Sequence, residues 1–175
     1  YEFEYSSTDY RKIIDNPDIN TVFITTRHDS HARLVAEVLE AGKNVYVEKP
    51  LALTYEELEN IQSAIIHQPS SILMVGFNRR FAPHIIKMKT LLDARKQPKS
   101  IIFTINAGMI PSDHWVHDPI VGGGRIIGEV CHFIDLMCFL SGSPINEWSA
   151  QSMGNDTLKD KVTINLIFKD GSLGS

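Results

Sequence analysis

The sequence predicts an α/β protein: the second half of a doubly wound parallel sheet, followed by part of an α+β domain with an open antiparallel sheet. Three observations carry that prediction. Over the first third of the chain, short runs rich in β-branched residues alternate with helical patterns through short links, which implies parallel strands and right-handed crossovers. Thr54-Tyr55-Glu56-Glu57 is a capping-box signature that marks where one of those helices begins. Beyond Arg79 the alternation stops, and strand patterns gather around one long apolar helix, as in an antiparallel α+β unit. The boundary is expected at residues 79–83, dividing the chain into residues 1–80 and 81–175.

A helix is expected over residues 8–16, feeding a strand at Thr21-Val22-Phe23-Ile24-Thr25 whose apolar run suits coverage on both faces. Asp29 and Ser30 are placed to cap the next helix, in which Leu34, Val35, Val38 and Leu39 keep helical spacing and Ala41-Gly42 supplies the stop. Val45-Tyr46-Val47 is the next strand, the capping box opens a helix to about His67, and Ile72-Leu73-Met74-Val75 is the third strand. In the second part Pro83 opens a helix to about Ala94, residues 100–107 alternate as a strand, and residues 111–124 read as an irregular polar loop. A helix then runs to Gly142, and strands over residues 147–153 and 161–168 are joined by a loop rich in Gly, Asn and Asp. Lys169-Asp170-Gly171-Ser172 reads as a turn with no complete returning strand. Both ends look unfinished, and the expectation is that the chain is a piece of a longer protein.

The 175 residues, 43% hydrophobic and 22% charged, have the composition of a folded globular chain. A formal net charge of -4 without a run of Lys or Arg argues against nucleic acid as a partner, because such binding is driven by a basic surface. No apolar stretch reaches the roughly 20 residues of a membrane-spanning helix, and Tyr1-Glu2-Phe3-Glu4 lacks the basic start of a secretory signal. No membrane partner and a cytoplasmic location are therefore expected. Cys131 and Cys138 fall on one face of a helix but about 10 Å apart along it, too far for a disulfide, and two free thiols fit a reducing compartment.

Four segments carry candidate chemistry. Glu48-Lys49-Pro50 ends a parallel strand, the edge where open sheets bind ligands, and a lysine there can bridge a cofactor and a polar substrate; a solvated charge is the ordinary alternative. Thr25-Thr26-Arg27-His28-Asp29-Ser30-His31 leads into a helix N-terminus, which favours anionic or ribose-bearing ligands; helix capping with exposed imidazoles is the alternative, and a metal reading of His28, Asp29 and His31 lacks a second ligand cluster. In Asp113-His114-Trp115-Val116-His117-Asp118, Trp115 offers a stacking platform to a sugar, or belongs to a plain surface loop. Gly122-Gly123-Gly124 permit unusual backbone angles and close approach to a ligand. On the helix that follows, Gly128 and His132 are four apart and Glu129 and His132 three apart. A carboxylate beside an imidazole orients it and prepares a general base; a satisfied core histidine is the alternative.

Taken in order, a threonine-ending strand with TRHDSH, then EKP, then VGFNRRFAP, then GGG leading to HFIDL, these segments resemble the Gfo/Idh/MocA family of NAD(P)-dependent oxidoreductases over nearly the whole chain. GFNRRFAPH and GGGRIIGEVCHFIDL look especially like a branch that includes inositol 2-dehydrogenase-like proteins, in which such a domain follows an alcohol-dehydrogenase-like region. The resemblance implies that residues 1–80 hold the second half of a Rossmann-type parallel sheet, and that residues 81–175 belong to a substrate and oligomerisation domain. It also implies NAD or NADP as cofactor, a cyclic polyol or sugar as substrate, and a homo-oligomer built through the open sheet.

By the same resemblance Lys49 is the active-site lysine and His132 the catalytic histidine. The family's usual Asp, four residues before that histidine, is Gly128 here, and Glu129, one position later and one methylene longer, stands in as the carboxylate partner. On the cofactor side the likeness puts Thr26, His28 and His31, in a Thr-Pro-Asn-x-x-His segment with Arg27 for Pro and His28 for Asn, together with Glu48, Lys49, Pro50 and Arg79. Lys49, Trp115 and His132 fall on the substrate side, and no metal is expected. Arg80 suits a phosphate or carboxylate, with salt bridging at the domain junction as its alternative. The G-x-G-x-x-G turn of a Rossmann domain is not in this sequence, so the pyrophosphate site is incomplete in it. Two rivals stand beside this reading: a catalytically silent sugar- or nucleotide-binding module of the same fold, and a metal hydrolase built from His28, His31, His114 and His117.

Overall fold

The structure is a computed structural model that describes residues 3–154 and 160–175, and the chain divides into two compact units, Tyr1–Gly76 and Phe77–Ser175. In the first unit a single helical turn, α1 (Arg11–Ile14), replaces the longer helix expected there, because Ile14 alone in that turn reaches a buried position. β1 (Thr21–Ile24), α2 (His28–Glu40), β2 (Asn44–Val47), α3 (Tyr55–His67) and β3 (Leu73–Val75) follow, and the three strands form a parallel sheet in the order β1-β2-β3.

With strands in sequence order, crossovers of one hand put both helices on one face, where α2 and α3 pack together. Val35, Val38 and Leu39 of α2 and Ile61 and Ala64 of α3 close over Ile24, Val45 and Val47. Among the described residues the other face is largely exposed. Phe23, Tyr46 and Met74 stand in register across it, Phe23 is 70% exposed, and its ring stacks on that of Tyr46 at 5.1 Å. The expected coverage of β1 on both faces is thus not met in this chain, since an apolar run signals a preference for burial without supplying the neighbour.

α3 begins at its capping box: the Thr54 hydroxyl accepts the Glu57 N–H at 3.2 Å, and the Glu57 carboxylate accepts the Thr54 N–H at 3.1 Å. α2 begins earlier than expected, with Arg27 at the cap and Asp29 and Ser30 inside the first turn. His28 and His31, both buried, draw that turn inward. Gly42, at a φ of 74°, ends the helix.

In the second unit a 3-10 turn (Asn78–Phe81) leads into α4 (Pro83–Asp93), with Pro83 in the first turn, where its missing N–H costs nothing. β4 (Ser100–Ile101), α5 (Cys131–Ser141), β5 (Ile145–Ser152), β6 (Val162–Phe168) and β7 (Leu173–Gly174) complete it, in a sheet of order β4-β7-β6-β5. β5, β6 and β7 pair antiparallel and β4 joins β7 in parallel, so one edge of the expected antiparallel sheet is mixed. Residues 155–159, in the expected β5–β6 loop, lie outside the described residues.

Along β6, half-buried or buried Val162, Ile164, Leu166 and Phe168 alternate with exposed Thr163, Asn165 and Ile167, and the inner row packs against Ile134, Met137 and Cys138 of α5. Two expectations change here. Of residues 100–107, only Ser100 and Ile101 form a strand, because alternation fixes where side chains point but a ladder needs a partner. The turn after β6 does return: the Asp170 carboxylate accepts the Ser172 N–H at 3.0 Å and hydroxyl at 2.9 Å, Gly171 takes a φ of 85°, and β7 follows.

Candidate active site

At the C-terminal ends of β1 and β2 the first unit brings two of the candidate segments together. The Ile24 carbonyl accepts the Glu48 N–H at 2.9 Å, and the next residues leave the ladder. The His31 ring, at 0% exposure, bridges the loops: Nδ1 lies 2.8 Å from the Pro50 carbonyl oxygen and Nε2 3.0 Å from that of Thr26. His28 is also buried, its ring 5.9 Å from that of His31, which rules out the exposed imidazoles of the capping alternative. The Thr26 and Ser30 hydroxyls pair at 2.5 Å.

Lys49 is half-buried and joined to buried Pro50 by a cis peptide bond. The Glu48 carboxylate accepts the Tyr46 hydroxyl at 3.0 Å; burial, and then that carboxylate, push the Tyr46 phenol up from its ordinary range. Gly76 faces this pair. A Cβ there would fall 2.8 Å from the Tyr46 hydroxyl oxygen and 3.1 Å from the Glu48 carboxylate, so a side chain just past β3 would displace this pair.

In the second unit His132 is 6% exposed in the first turn of α5, edge-on to the Phe77 ring with centroids 6.1 Å apart. One turn later on the same helix, Asp135 takes both ends of the Arg80 guanidinium: Nε donates to Oδ2 at 3.0 Å and Nη2 donates to Oδ1. Arg80 also lies over Phe139 and Arg79 over Phe133, at 5.4 and 4.6 Å from the ring centroids. Both arginines are thus engaged by α5 within the second unit, and the salt bridge weighed for Arg80 is made with Asp135. Sequence reasoning gave Asp135 no partner; the signal for one was an acid on an apolar helix, which needs a cation, and an Arg-Arg pair upstream.

Residues Ile126–Val130 wind as a π-helix before α5 begins, so the three- and four-residue spacing rule of a regular helix does not carry across Gly128 and Glu129. Gly128 is buried, and Glu129 lines a cavity of about 700 Å³ with Arg125, Phe133, Met137, Asp160 and Leu166. In its lining Arg125 donates to the Gly108 carbonyl at 2.9 Å and to the Asp160 carboxylate at 3.0 Å. Trp115 opens a 3-10 turn (Trp115–His117), half-buried, with its ring 5.6 Å from that of His114. A Cβ on Gly122 would lie 2.6 Å from the Trp115 carbonyl oxygen, so this glycine serves the close approach of the loop to its own backbone. Among the described residues no group of three or more His, Cys, Asp or Glu is placed to hold a metal ion, and no helix is long and apolar enough to cross a membrane.

A parallel sheet whose strand ends meet the N-terminus of a long helix is the arrangement on which nucleotide-binding α/β units are built. Residues 1–77 match the GFO_IDH_MocA family, described as "Oxidoreductase family, NAD-binding Rossmann fold". Residues 1–77 thus carry the NAD-binding domain of this oxidoreductase family, and the likeness to named dehydrogenases runs on through the rest of the chain. It is 30% identical over 211 residues to levoglucosan dehydrogenase of Pseudarthrobacter phenanthrenivorans, a match covering 100% of this chain and 53% of that protein. With scyllo-inositol 2-dehydrogenase (NAD(+)) of Bacillus subtilis it shares 32% identity over 146 residues, covering 82% of this chain and 41% of that one. Among solved structures, levoglucosan dehydrogenase in complex with NADH and levoglucosan matches with a TM-score of 0.82 at 28% identity, over 98% of this chain and 50% of that chain. The chain spans about half the length of the curated relatives it matches.

Proposed function

We propose that the whole protein is an NAD(P)-dependent dehydrogenase that moves a hydride between a nicotinamide and a hydroxyl of a cyclic polyol or sugar. The observation that carries this reading is Lys49, a half-buried ammonium just past the end of a parallel strand, in a chain related to levoglucosan and scyllo-inositol dehydrogenases. α2 has no side-chain cap, so its first-turn amides are suited to an anionic or ribose-bearing group, and the Thr26 hydroxyl beside them suits the same end of a dinucleotide.

In this reading Lys49 binds the substrate oxygen and stabilises the alkoxide that develops there. His132 takes the hydroxyl proton, and Glu129 orients the imidazole. Thr26, His28, Glu48, Pro50 and Arg79 build the cofactor side, and Trp115 stacks on the substrate. When bound, the nicotinamide supplies the hydride chemistry itself. A cytoplasmic, self-associating protein with no nucleic-acid or membrane partner goes with this activity.

The test is NADH fluorescence titration of the full-length protein, then absorbance assays over a panel of polyols and sugars at saturating cofactor. Lys49→Ala and His132→Ala are each expected to lower kcat/KM by at least about 100-fold while the melting temperature stays within a few degrees of the parent's. Turnover retained by both variants would overturn the assignment. Gly128, standing where the family has its Asp, favours a second reading, a silent binding module; NADH binding without turnover on any panel member is its signature.

A further inference from the structure

We infer that His31 is a positioning residue: its Nδ1–H, held by the Pro50 carbonyl, fixes the peptide that carries Lys49 against the β1–α2 loop. The inference rests on the role proposed for Lys49. Its physical basis is the fully buried ring set between two carbonyl oxygens, Pro50 at 2.8 Å from Nδ1 and Thr26 at 3.0 Å from Nε2. A carbonyl accepts only from an N–H, and a neutral imidazole has one, so each tautomer satisfies one of the two contacts.

The two contacts do different things. Thr26 lies two residues beyond the last residue of β1 and is tied a second time, by its hydroxyl to Ser30. Pro50 lies in the segment that leaves the sheet after the Glu48 N–H bonds Ile24 and rejoins fixed structure where the Leu53 N–H bonds the Glu57 carboxylate at 2.6 Å. His31 Nδ1 tethers the middle of that segment, one residue from Lys49. The longer reach of unladdered chain makes the Nδ1 contact the one that matters for Lys49, and that contact forms when the proton is on Nδ1. The same residue was expected on the cofactor side; its ring faces the protein's own backbone instead, so it acts through Lys49.

Asn and Gln separate the two contacts, because an Asn amide places its N–H groups near the Nδ1 position and a Gln amide near Nε2. In the full-length protein, His31→Gln is expected to lower kcat roughly 100-fold with the KM for NADH changed less than about twofold, the scale of a misplaced catalytic group. His31→Asn is expected to restore kcat to within about fivefold of the parent, although both variants lose similar melting temperature. Equal kcat losses in Asn and Gln, or losses that follow melting temperature alone, would overturn the inference.

Lys49→Ala run alongside separates the two readings. If it keeps turnover, the Lys49 assignment has failed; if it loses turnover while Asn and Gln behave alike, only the His31 inference has. Should a variant fail to fold, long-range proton–nitrogen NMR of the parent reads the ring directly. A proton on Nδ1 supports the tether, and a bare Nδ1 sinks it.

Discussion

Arg80→Ala should destabilise the second unit by about 2–3 kcal/mol, as the position of its ion pair between surface and core dictates. Breaking a fully buried pair costs about 3–5 kcal/mol, and an exposed pair contributes about 0–1 kcal/mol. Here the Asp135 side chain is 10% exposed and that of Arg80 is 34% exposed, so the carboxylate stays largely desolvated when the cation is removed, while water partly replaces the guanidinium. That places the pair near 2 kcal/mol, and loss of the contact with Phe139 adds about 0.5 kcal/mol. Asp135→Asn and the double variant close a cycle, with an expected coupling of about 1.5 kcal/mol. Urea unfolding followed by tryptophan fluorescence is the assay, because the chain's two tryptophans, Trp115 and Trp148, both lie in the second unit. A coupling below about 0.5 kcal/mol would mean the pair behaves as a surface contact and would refute the reasoning. Cys138 supplies an independent sign: burial pushes its thiol up, the Asp135 charge pushes it further, and Arg80 pulls it down. Alkylation of Cys138 should therefore slow in Arg80→Ala and quicken in Asp135→Asn.

Gly122→Ala should destabilise the second unit by about 1–3 kcal/mol, because its Cβ meets the Trp115 carbonyl oxygen at 2.6 Å and the loop must move; an unchanged urea midpoint would show that it yields freely. The Ser172 backbone N–H, and then its hydroxyl, hold the exposed Asp170 carboxyl below its usual range. A depressed folded value gives stability that is present above the usual carboxylate range and lost as pH falls through the folded value, so Asp170→Asn should flatten the acid limb of the stability profile, and identical limbs would count against the turn. Tyr46, raised by burial and Glu48, should ionise above the ordinary phenol range in an absorbance titration, with stability falling as pH rises past that range. Tyr46→Phe should abolish that late step, and a titration that keeps it would assign it elsewhere.

The elements legible in the sequence were those whose cause is local. The Thr54 capping box, the Gly42 and Gly142 stops and the strand ending at Phe168 each depend on residues within a few positions, and each is found where the pattern puts it. What spacing could not reveal depends on distant or missing neighbours. The exposed face of Phe23 and Met74 reflects which side the crossover helices took, and β4 ends after two residues because its ladder follows β7, which lies more than seventy residues downstream. The Arg80–Asp135 pair joins residues 55 apart, and no periodicity points from one to the other. His31 shows a subtler limit: a histidine in the first turn of a helix reads as facing a ligand or solvent, and only the fold turns its ring inward onto two carbonyls.

α5 and the π-helix before it raise a physical question, since an apolar segment covering a core carries Glu129, His132 and Asp135. Burying a charge without compensation costs several kcal/mol, so each of the three ionisable groups needs compensation of its own or from another. Asp135 meets Arg80, His132 meets the edge of an aromatic ring, and Glu129 faces a cavity that also holds the Arg125–Asp160 pair. Glu129, in the π-helix, shares a cavity wall with Phe133 and Met137, and His132 packs on Phe77. Asp135 is thereby committed to holding α5 on Arg80, and the chemistry proposed for this helix narrows to His132 and Glu129.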